Sequence, residues 1–235
     1  MDFLPEFLRS GDVAVDVGAN SADWTSVFSR RVGPTGHVFS FEADPYYADV
    51  TAKTIQILGL RNVRFFPFGL SDRKSEAWLE VVDTWNTRVS GTGRVLEPSE
   101  ESTVSAERRV SIRLESLDDL AQSHPELWKT RIIKADVEGS ELMVFRGARR
   151  VIEKSRPICI PELDWPQVGG YVQKDVIDFF LALGYESYVA VTSTLLRPSH
   201  EAGAIPEGPR SNRIMIPREL PLPGSVQVEA GAHPA

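Results

Sequence analysis

The sequence predicts one doubly wound α/β domain with a mostly parallel sheet, interrupted by an inserted antiparallel hairpin. Three observations predict it. Short apolar runs alternate with segments of helical period from Val13 to Phe66, and the same rhythm returns from Arg131 onwards. Between them, residues 76–82 and 109–114 alternate like exposed antiparallel strands on either side of a polar excursion. Strand–helix–strand repeats at this spacing imply parallel strands joined by right-handed crossovers.

Val13-Ala14-Val15-Asp16-Val17 is a continuous apolar run ending at Gly18, the pattern of a buried parallel strand. Residues 21–31 place Trp24, Val27 and Phe28 at helical spacing, and Gly33-Pro34-Thr35-Gly36 stops that helix. Residues 37–42 read as a second strand. Asp44-Pro45 then opens a helix, since Asp suits the cap and Pro the first turn; it runs to Leu58 and ends at Gly59. Residues 63–66 form a third strand. Residues 83–108, rich in Thr, Ser, Gly and Glu, form an inserted loop long enough to be functional, an expected lid over an acceptor. A strand over 131–136, a helix over 139–152, a strand over 157–163, a helix over 175–183 and a strand over 186–191 follow. Residues 194–197 and 213–216 add an antiparallel edge. The single domain is expected to span 1–216, with 217–235, rich in Pro, Gly and Ala, a disordered tail.

Composition narrows the function. A net charge of −7 argues against a generic grip on nucleic acid. No apolar run approaches a bilayer span and the N-terminus lacks a signal-peptide core, so the expected protein is soluble and cytoplasmic, without membrane partners. The one cysteine, Cys159, reads as a buried small hydrophobe, and no Cys/His cluster has zinc-ligand spacing.

In an open α/β sheet, ligands bind beyond the carboxyl ends of the strands where the strand order reverses. The strand ends carry Asp16, Glu42, the turn 69–72, Asp136 and Glu162. Gly18, in Asp16-Val17-Gly18-Ala19-Asn20, is expected to let a ligand approach the backbone, and Asp16 favours a cation such as the ammonium of a methionine moiety. Glu42 is acceptor-only when ionised and can take both hydroxyls of a ribose. A nicotinamide cofactor would want Gly-x-Gly-x-x-Gly; here Asn20 replaces the second glycine and Asp23 sets an acid towards the phosphates. S-adenosylmethionine, a sulfonium without phosphate, fits better. A nicotinamide-dependent oxidoreductase and a non-catalytic binding protein that kept the fold are the alternatives. Asp136 is the first candidate for general base, Glu162 the second and His124 a distant third. Asp136 and Glu162 end neighbouring predicted strands, where such oxygen ligands can hold Mg²⁺. Trp85 and Trp165 offer stacking faces to an acceptor.

Val15-Asp16-Val17-Gly18-Ala19-Asn20, Phe41-Glu42-Ala43-Asp44-Pro45, Leu117-Asp118-Asp119-Leu120 and Lys134-Ala135-Asp136-Val137-Glu138-Gly139-Ser140-Glu141, with Arg156-Pro157-Ile158 and Glu162, occur in one ordered set. In this the chain resembles the FkbM-type methyltransferases of the class I S-adenosylmethionine-dependent superfamily, with its Rossmann-like fold. The resemblance implies O-methylation of a hydroxyl on a small molecule, commonly a sugar or polyketide-like metabolite of secondary metabolism. It also implies that Asp16, Gly18 and Asn20 line the methionine end, Glu42 holds the ribose, Ser71 and Asp72 flank the adenine, and Asp136 lies between cofactor and acceptor. The chain departs from the family pattern at Ala22, where glycine is usual, and at Ala135, where Ile or Val is.

Overall fold

The computed structural model describes residues 7–81, 93–96, 99–101, 103–163, 167–190, 192, 195–199 and 212–229. Among them, β1 (Val13–Val17), β2 (His37–Phe41), β3 (Val63–Phe66), β8 (Thr130–Ala135) and β9 (Ile158–Pro161) form the parallel part of a nine-stranded sheet. Its order is β3-β2-β1-β8-β9-β12-β10-β11-β13, where β10 is Tyr185–Ala190, β11 Leu195–Pro198, β12 Ile214–Pro217 and β13 Gln227–Val228. The order reverses at β1, which pairs in parallel with β2 on one side and β8 on the other.

All five residues of β1 are buried because both faces of the sheet are covered. Val13, Val15 and Val17 face one core, and Ala14 faces the other. On the first side pack α3 (Leu117–Ser123), α4 (Glu141–Gly147), α5 (Arg149–Ser155) and α6 (Gln173–Ala182), through side chains such as Leu117, Phe145, Val151 and Phe180. On the other lies α1 (Asp23–Val32), through Phe28 and Val32. Each such fully buried side chain is worth roughly 1.5–3 kcal/mol. Helix α2 (Pro45–Ile57) starts at Asp44, whose carboxylate accepts from Tyr46 N at 2.9 Å. It ends before Gly59, whose φ of 61° lies in the left-handed region.

A second sheet, ordered β4-β7-β5-β6, joins Gly69–Leu70 (β4), Ser75–Glu80 (β5), Arg94–Val95 (β6) and Arg109–Glu115 (β7). Strands β5 and β7 pair antiparallel from Ser75↔Leu114 to Glu80↔Arg109. Leu79, Ile112 and Leu114 form a small core that Ala43, from the turn after β2, joins. The second sheet is thereby seated on the first beside the carboxyl ends of the parallel strands.

Three expectations are corrected. The helix over 139–152 is two helices, broken at Ala148. Gly147 lies so close to the Ser71 carbonyl that a Cβ would overlap it, and the Asp118 carboxylate accepts from Arg150 N and Val151 N, both at 2.9 Å, which caps α5 from outside. Strand β12 is not at an edge. It lies antiparallel between β9 and β10, as its four buried residues require, and β11 pairs beyond β10. The segment 217–229 is not a free tail. Leu220, Leu222 and Val226 pack on the α1 side, β13 pairs with β11, and Glu219 meets Arg156 at 2.5 Å. Its Pro/Gly-rich composition conceals these three apolar anchors; residues 230–235 lie outside the described residues. No helix among the described residues is long and apolar enough to cross a membrane.

Candidate active site

A cleft of about 740 Å³, counting its open mouth, lies at the carboxyl ends of β1, β2 and β8, where the strand order reverses. Gly18, Asn20, Glu42 and Asp136 of the predicted site residues line it. Asp16, Ser71, Asp72 and Glu162 do not appear in its wall.

The turn after β1 is pinned to β2, since Gly18 N and Ala19 N both donate to Phe41 O at 3.0 Å. Gly18 has φ 80°, and a Cβ there would fall on the Asp136 carbonyl oxygen and 3.0 Å from its carbon. The glycine therefore serves the close approach of two protein loops, where the sequence reading expected the approach of a ligand. Asn20 N donates to Glu42 Oε2, and Asp44 N to Glu42 Oε1, each at 2.8 Å. Burial raises the Glu42 pKa, opposed by those two backbone bonds. A carboxylate has about four lone-pair sites, so beside its backbone contacts with Asn20, Asp44 and Ala43 Glu42 keeps acceptor capacity for a ligand hydroxyl. Ala22, where the family pattern has glycine, sits at φ 70°, in the region glycine favours.

Asp16 lies on the α1 side of β1, buried, and accepts from Thr25 Oγ1 at 2.5 Å; Thr25 in turn meets Ser40 Oγ at 2.8 Å. It is not among the residues lining the cleft, because alternate residues of a strand point to opposite faces and its neighbour Val17 takes the cleft side. Burial pushes its pKa up to about 7, outweighing the Thr25 hydrogen bond and the Lys134 charge. The folded chain thus holds this proton over a range in which the unfolded chain, whose carboxyl has its ordinary value of 3.8, has released it. Stability is lost as pH rises through that window and levels off above about 7. Asp16→Asn removes the loss, so the stability of the variant relative to the parent should rise by roughly a few kcal/mol between about pH 4 and about pH 8. Urea unfolding across that range measures it; a difference that does not vary with pH would refute the assignment.

Ser71 and Asp72 are held outside the cleft. Ser71 N donates to Glu115 O at 2.8 Å, its carbonyl backs onto Gly147, and Asp72 meets Arg73 at 3.3 Å. The apolar wall comes instead from Phe41, Ala43, Leu70, Leu79, Ile112 and Leu114. Gly93 and Val95, from the excursion after β5, complete it. Trp85 and Trp165 lie outside the described residues.

The loop 136–140 forms the opposite wall through Asp136, Val137, Glu138 and Ser140. Glu141, in the first turn of α4, organises it. Its buried carboxylate accepts from Val137 N at 3.0 Å, Gly139 N at 3.2 Å and Gln167 Nε2 at 2.8 Å. Val168 N donates to Gly139 O, so the segment after β9 is tied to this loop. The Ser140 hydroxyl is buried in the wall with no protein partner.

One residue the sequence reading passed over stands at the centre of the acids. Lys134 is fully buried in β8, and its Nζ lies 3.2 Å from Asp136 Oδ2 and 3.8 Å from Glu162 Oε2. The available signal was a lysine inside Ile132-Ile133-Lys134-Ala135, since a buried lysine requires partners. Burial works to raise the Asp136 pKa, but a hydrogen bond with Glu162 and the Lys134 charge hold it below the ordinary value. The Mg²⁺ expected between Asp136 and Glu162 is corrected: the ammonium takes that position, and no group of metal-ligating residues is present among the described residues. His124 packs edge-on against Phe39 and Phe66, away from the cleft.

Four carboxylates line the cleft, from Glu42, Asp44, Asp136 and Glu138, and no lysine or arginine does among the described lining residues. Such a wall suits a ligand carrying positive charge and hydroxyl groups, and repels a diphosphate.

The Methyltransferase FkbM domain family matches residues 16–187. A solved FkbM methyltransferase from Methylobacillus flagellatus KT superposes with a TM-score of 0.53 at 14% identity, over 88% of this chain and 43% of that one. A protein-L-isoaspartate O-methyltransferase of Ignicoccus hospitalis is 38% identical over 56 residues, which is 24% of this chain and 26% of that protein. The chain thus spans less than half the length of both.

Proposed function

This chain belongs to the FkbM methyltransferase domain family, and from that premise we propose that it transfers a methyl group from S-adenosylmethionine to a hydroxyl oxygen of a small molecule such as a sugar or polyketide-like metabolite. The observation that carries the reading is the cleft: Glu42, Asp44, Asp136 and Glu138 line it at the point where the strand order reverses, and no lysine or arginine is among its described lining residues. When bound, S-adenosylmethionine supplies an electrophilic methyl on a positively charged sulfur.

In this reading Glu42 accepts from the two ribose hydroxyls, and Gly18 and Asn20 face the methionine portion. Phe41, Ala43, Leu70 and Leu114 give the adenine an apolar seat, the place the sequence reading assigned to Ser71 and Asp72. The Ser140 hydroxyl, without a protein partner, is offered to a ligand. Asp136 takes the proton that the acceptor hydroxyl loses as its oxygen bonds to the methyl carbon and the carbon–sulfur bond breaks. Orientation of the two reactants can contribute about 7–11 kcal/mol, and a general base roughly 10²–10⁴-fold. Gly93 and Val95, within the 83–108 excursion, line the cleft and in this reading supply part of the acceptor's cover.

Calorimetric titration with S-adenosylmethionine, S-adenosylhomocysteine and NAD tests the cofactor. The first two should bind and NAD should not; NAD binding, or no binding of the first two, overturns the reading. Turnover against a panel of sugars and macrolide-like alcohols, read as homocysteine product, then tests oxygen as the acceptor and excludes a non-catalytic binding role.

A further inference from the structure

The proton-accepting group of the proposed site is a pair. Asp136 and Glu162 end neighbouring strands, β8 and β9, and Lys134 Nζ lies within 4 Å of both carboxylates. Two carboxyl groups beside one ammonium compete for its charge, and the one it favours ionises more readily. Which of the two that is decides which can accept a proton from an acceptor. Only Asp136 lines the cleft.

The ammonium of Lys134 is placed to decide this. The side chain is 1% exposed, and its Nζ is 0.6 Å nearer to Asp136 than to Glu162, at 3.2 against 3.8 Å. It is not free to swing. Nζ also donates to Ala135 O at 3.4 Å and lies 5.7 Å from the centre of the Trp24 ring. The groups facing it are Asp16 from β1, Asp136 beyond β8, Glu162 beyond β9 and the uncharged Trp24 from α1. Asp16 sits beside it in register and is occupied by Thr25.

We infer that Lys134 is the positioning residue of the site: its buried ammonium, nearer to Asp136 than to Glu162, keeps Asp136 the more readily ionised of the two. The inference rests on the methyl-transfer reading for its purpose and on the ion-pair geometry for its content. Asp136 is then the unprotonated member when an acceptor hydroxyl arrives. It takes that hydroxyl's proton as the oxygen bonds to the methyl carbon and the carbon–sulfur bond breaks.

The test is a carboxyl carbon NMR titration of the full chain, labelled at Asp and Glu side-chain carboxyls, from about pH 4 to about pH 9. The Asp136 and Glu162 signals are assigned with Asp136→Asn and Glu162→Gln. In the parent protein Asp136 should ionise at lower pH than Glu162. Lys134→Met should raise the Asp136 midpoint by at least about one unit, a tenfold change in acidity, and Lys134→Arg should restore it. A lysine that only packs would lower the melting temperature and leave the midpoints where they were, and that result overturns the inference. Should Lys134→Met fail to fold, the parent titration decides: Glu162 ionising before Asp136 overturns it equally. Calorimetry with S-adenosylhomocysteine on the parent keeps the two readings apart. No binding sinks the cofactor assignment alone, whereas an unmoved Asp136 midpoint in a variant that binds sinks this one.

Discussion

Gly18→Ala should destabilise the protein by about 2–5 kcal/mol and abolish binding in the cleft. Two costs combine. The left-handed conformation at φ 80° costs a residue with a Cβ roughly 1–2 kcal/mol. The added methyl also meets the Asp136 carbonyl, backbone that cannot rotate away as a side chain would; such overpacking costs typically 1–3 kcal/mol. Gly59→Ala is the internal control. Gly59 has φ 61° with nothing within 4 Å of an added Cβ, so it shows the conformational cost alone. The lowered entropy of the unfolded chain is the same for both variants and cancels. Thermal unfolding should therefore place Gly18→Ala well below Gly59→Ala, by roughly 2–12 °C at about 2–4 °C per kcal/mol for a chain of this size. Equal melting temperatures would mean that the two loops do not approach as described. Because both loops line the cleft, forcing them apart should cost ligand binding even at temperatures where the variant stays folded.

The second large effect is expected at Glu42. If its carboxylate accepts both ribose hydroxyls, Glu42→Ala removes two charge-assisted hydrogen bonds of roughly 1.5–3 kcal/mol each, or ~10²–10⁴-fold in affinity for S-adenosylhomocysteine. It also strands Asn20 N and Asp44 N, which now donate to it. Glu42→Gln separates these contributions in part, because an amide has one acceptor oxygen and its nitrogen would confront one of the two backbone donors. Calorimetry should rank the parent above Glu42→Gln and Glu42→Ala lowest. An affinity that changes by less than about threefold in the alanine variant would remove Glu42 from the ligand's contacts.

How far the sequence could be read depended on where each constraint lies. Strands β1, β2 and β8 were legible because a strand covered on both faces is mostly apolar, as Val13-Ala14-Val15 and Ile132-Ile133 show, and β3 because Phe65-Phe66 follows a helix stopped at Gly59. The break at Ala148 was not legible. Its causes are the Ser71 carbonyl and the Asp118 carboxylate, brought there by other parts of the chain. The interior place of β12 was equally hidden, since Ile214-Met215-Ile216 states that a strand is buried but not between which neighbours. In the site, residues whose strand ends at the cleft were found: Asn20, Glu42 and Asp136 line it. Asp16 was misplaced by one step of strand alternation, which turns a side chain to the far face. Ser71 and Asp72 were misplaced because the second sheet, with Leu79, Ile112 and Leu114, supplies the wall the turn was expected to provide. Lys134 was read as part of a motif without a role, because its partners are brought together only when β8 and β9 lie side by side.

The insertion of β12 between β9 and β10 has a consequence for how the chain can be made. Strand β10 has no direct pairing with β9; its link to the parallel sheet is β12, which is synthesised after both. Until Ile214–Pro217 leaves the ribosome, the β10–β11 ribbon has no strand to pair with, and the β9 edge stands open with its hydrogen-bonding groups unpaired. An open edge of that kind is a site for pairing with other chains. Biosynthesis therefore holds the β9 edge vulnerable until residues 214–217 are made, and a ribosome that stalls before Ile214 leaves behind an aggregation-prone half-sheet rather than a smaller folded protein.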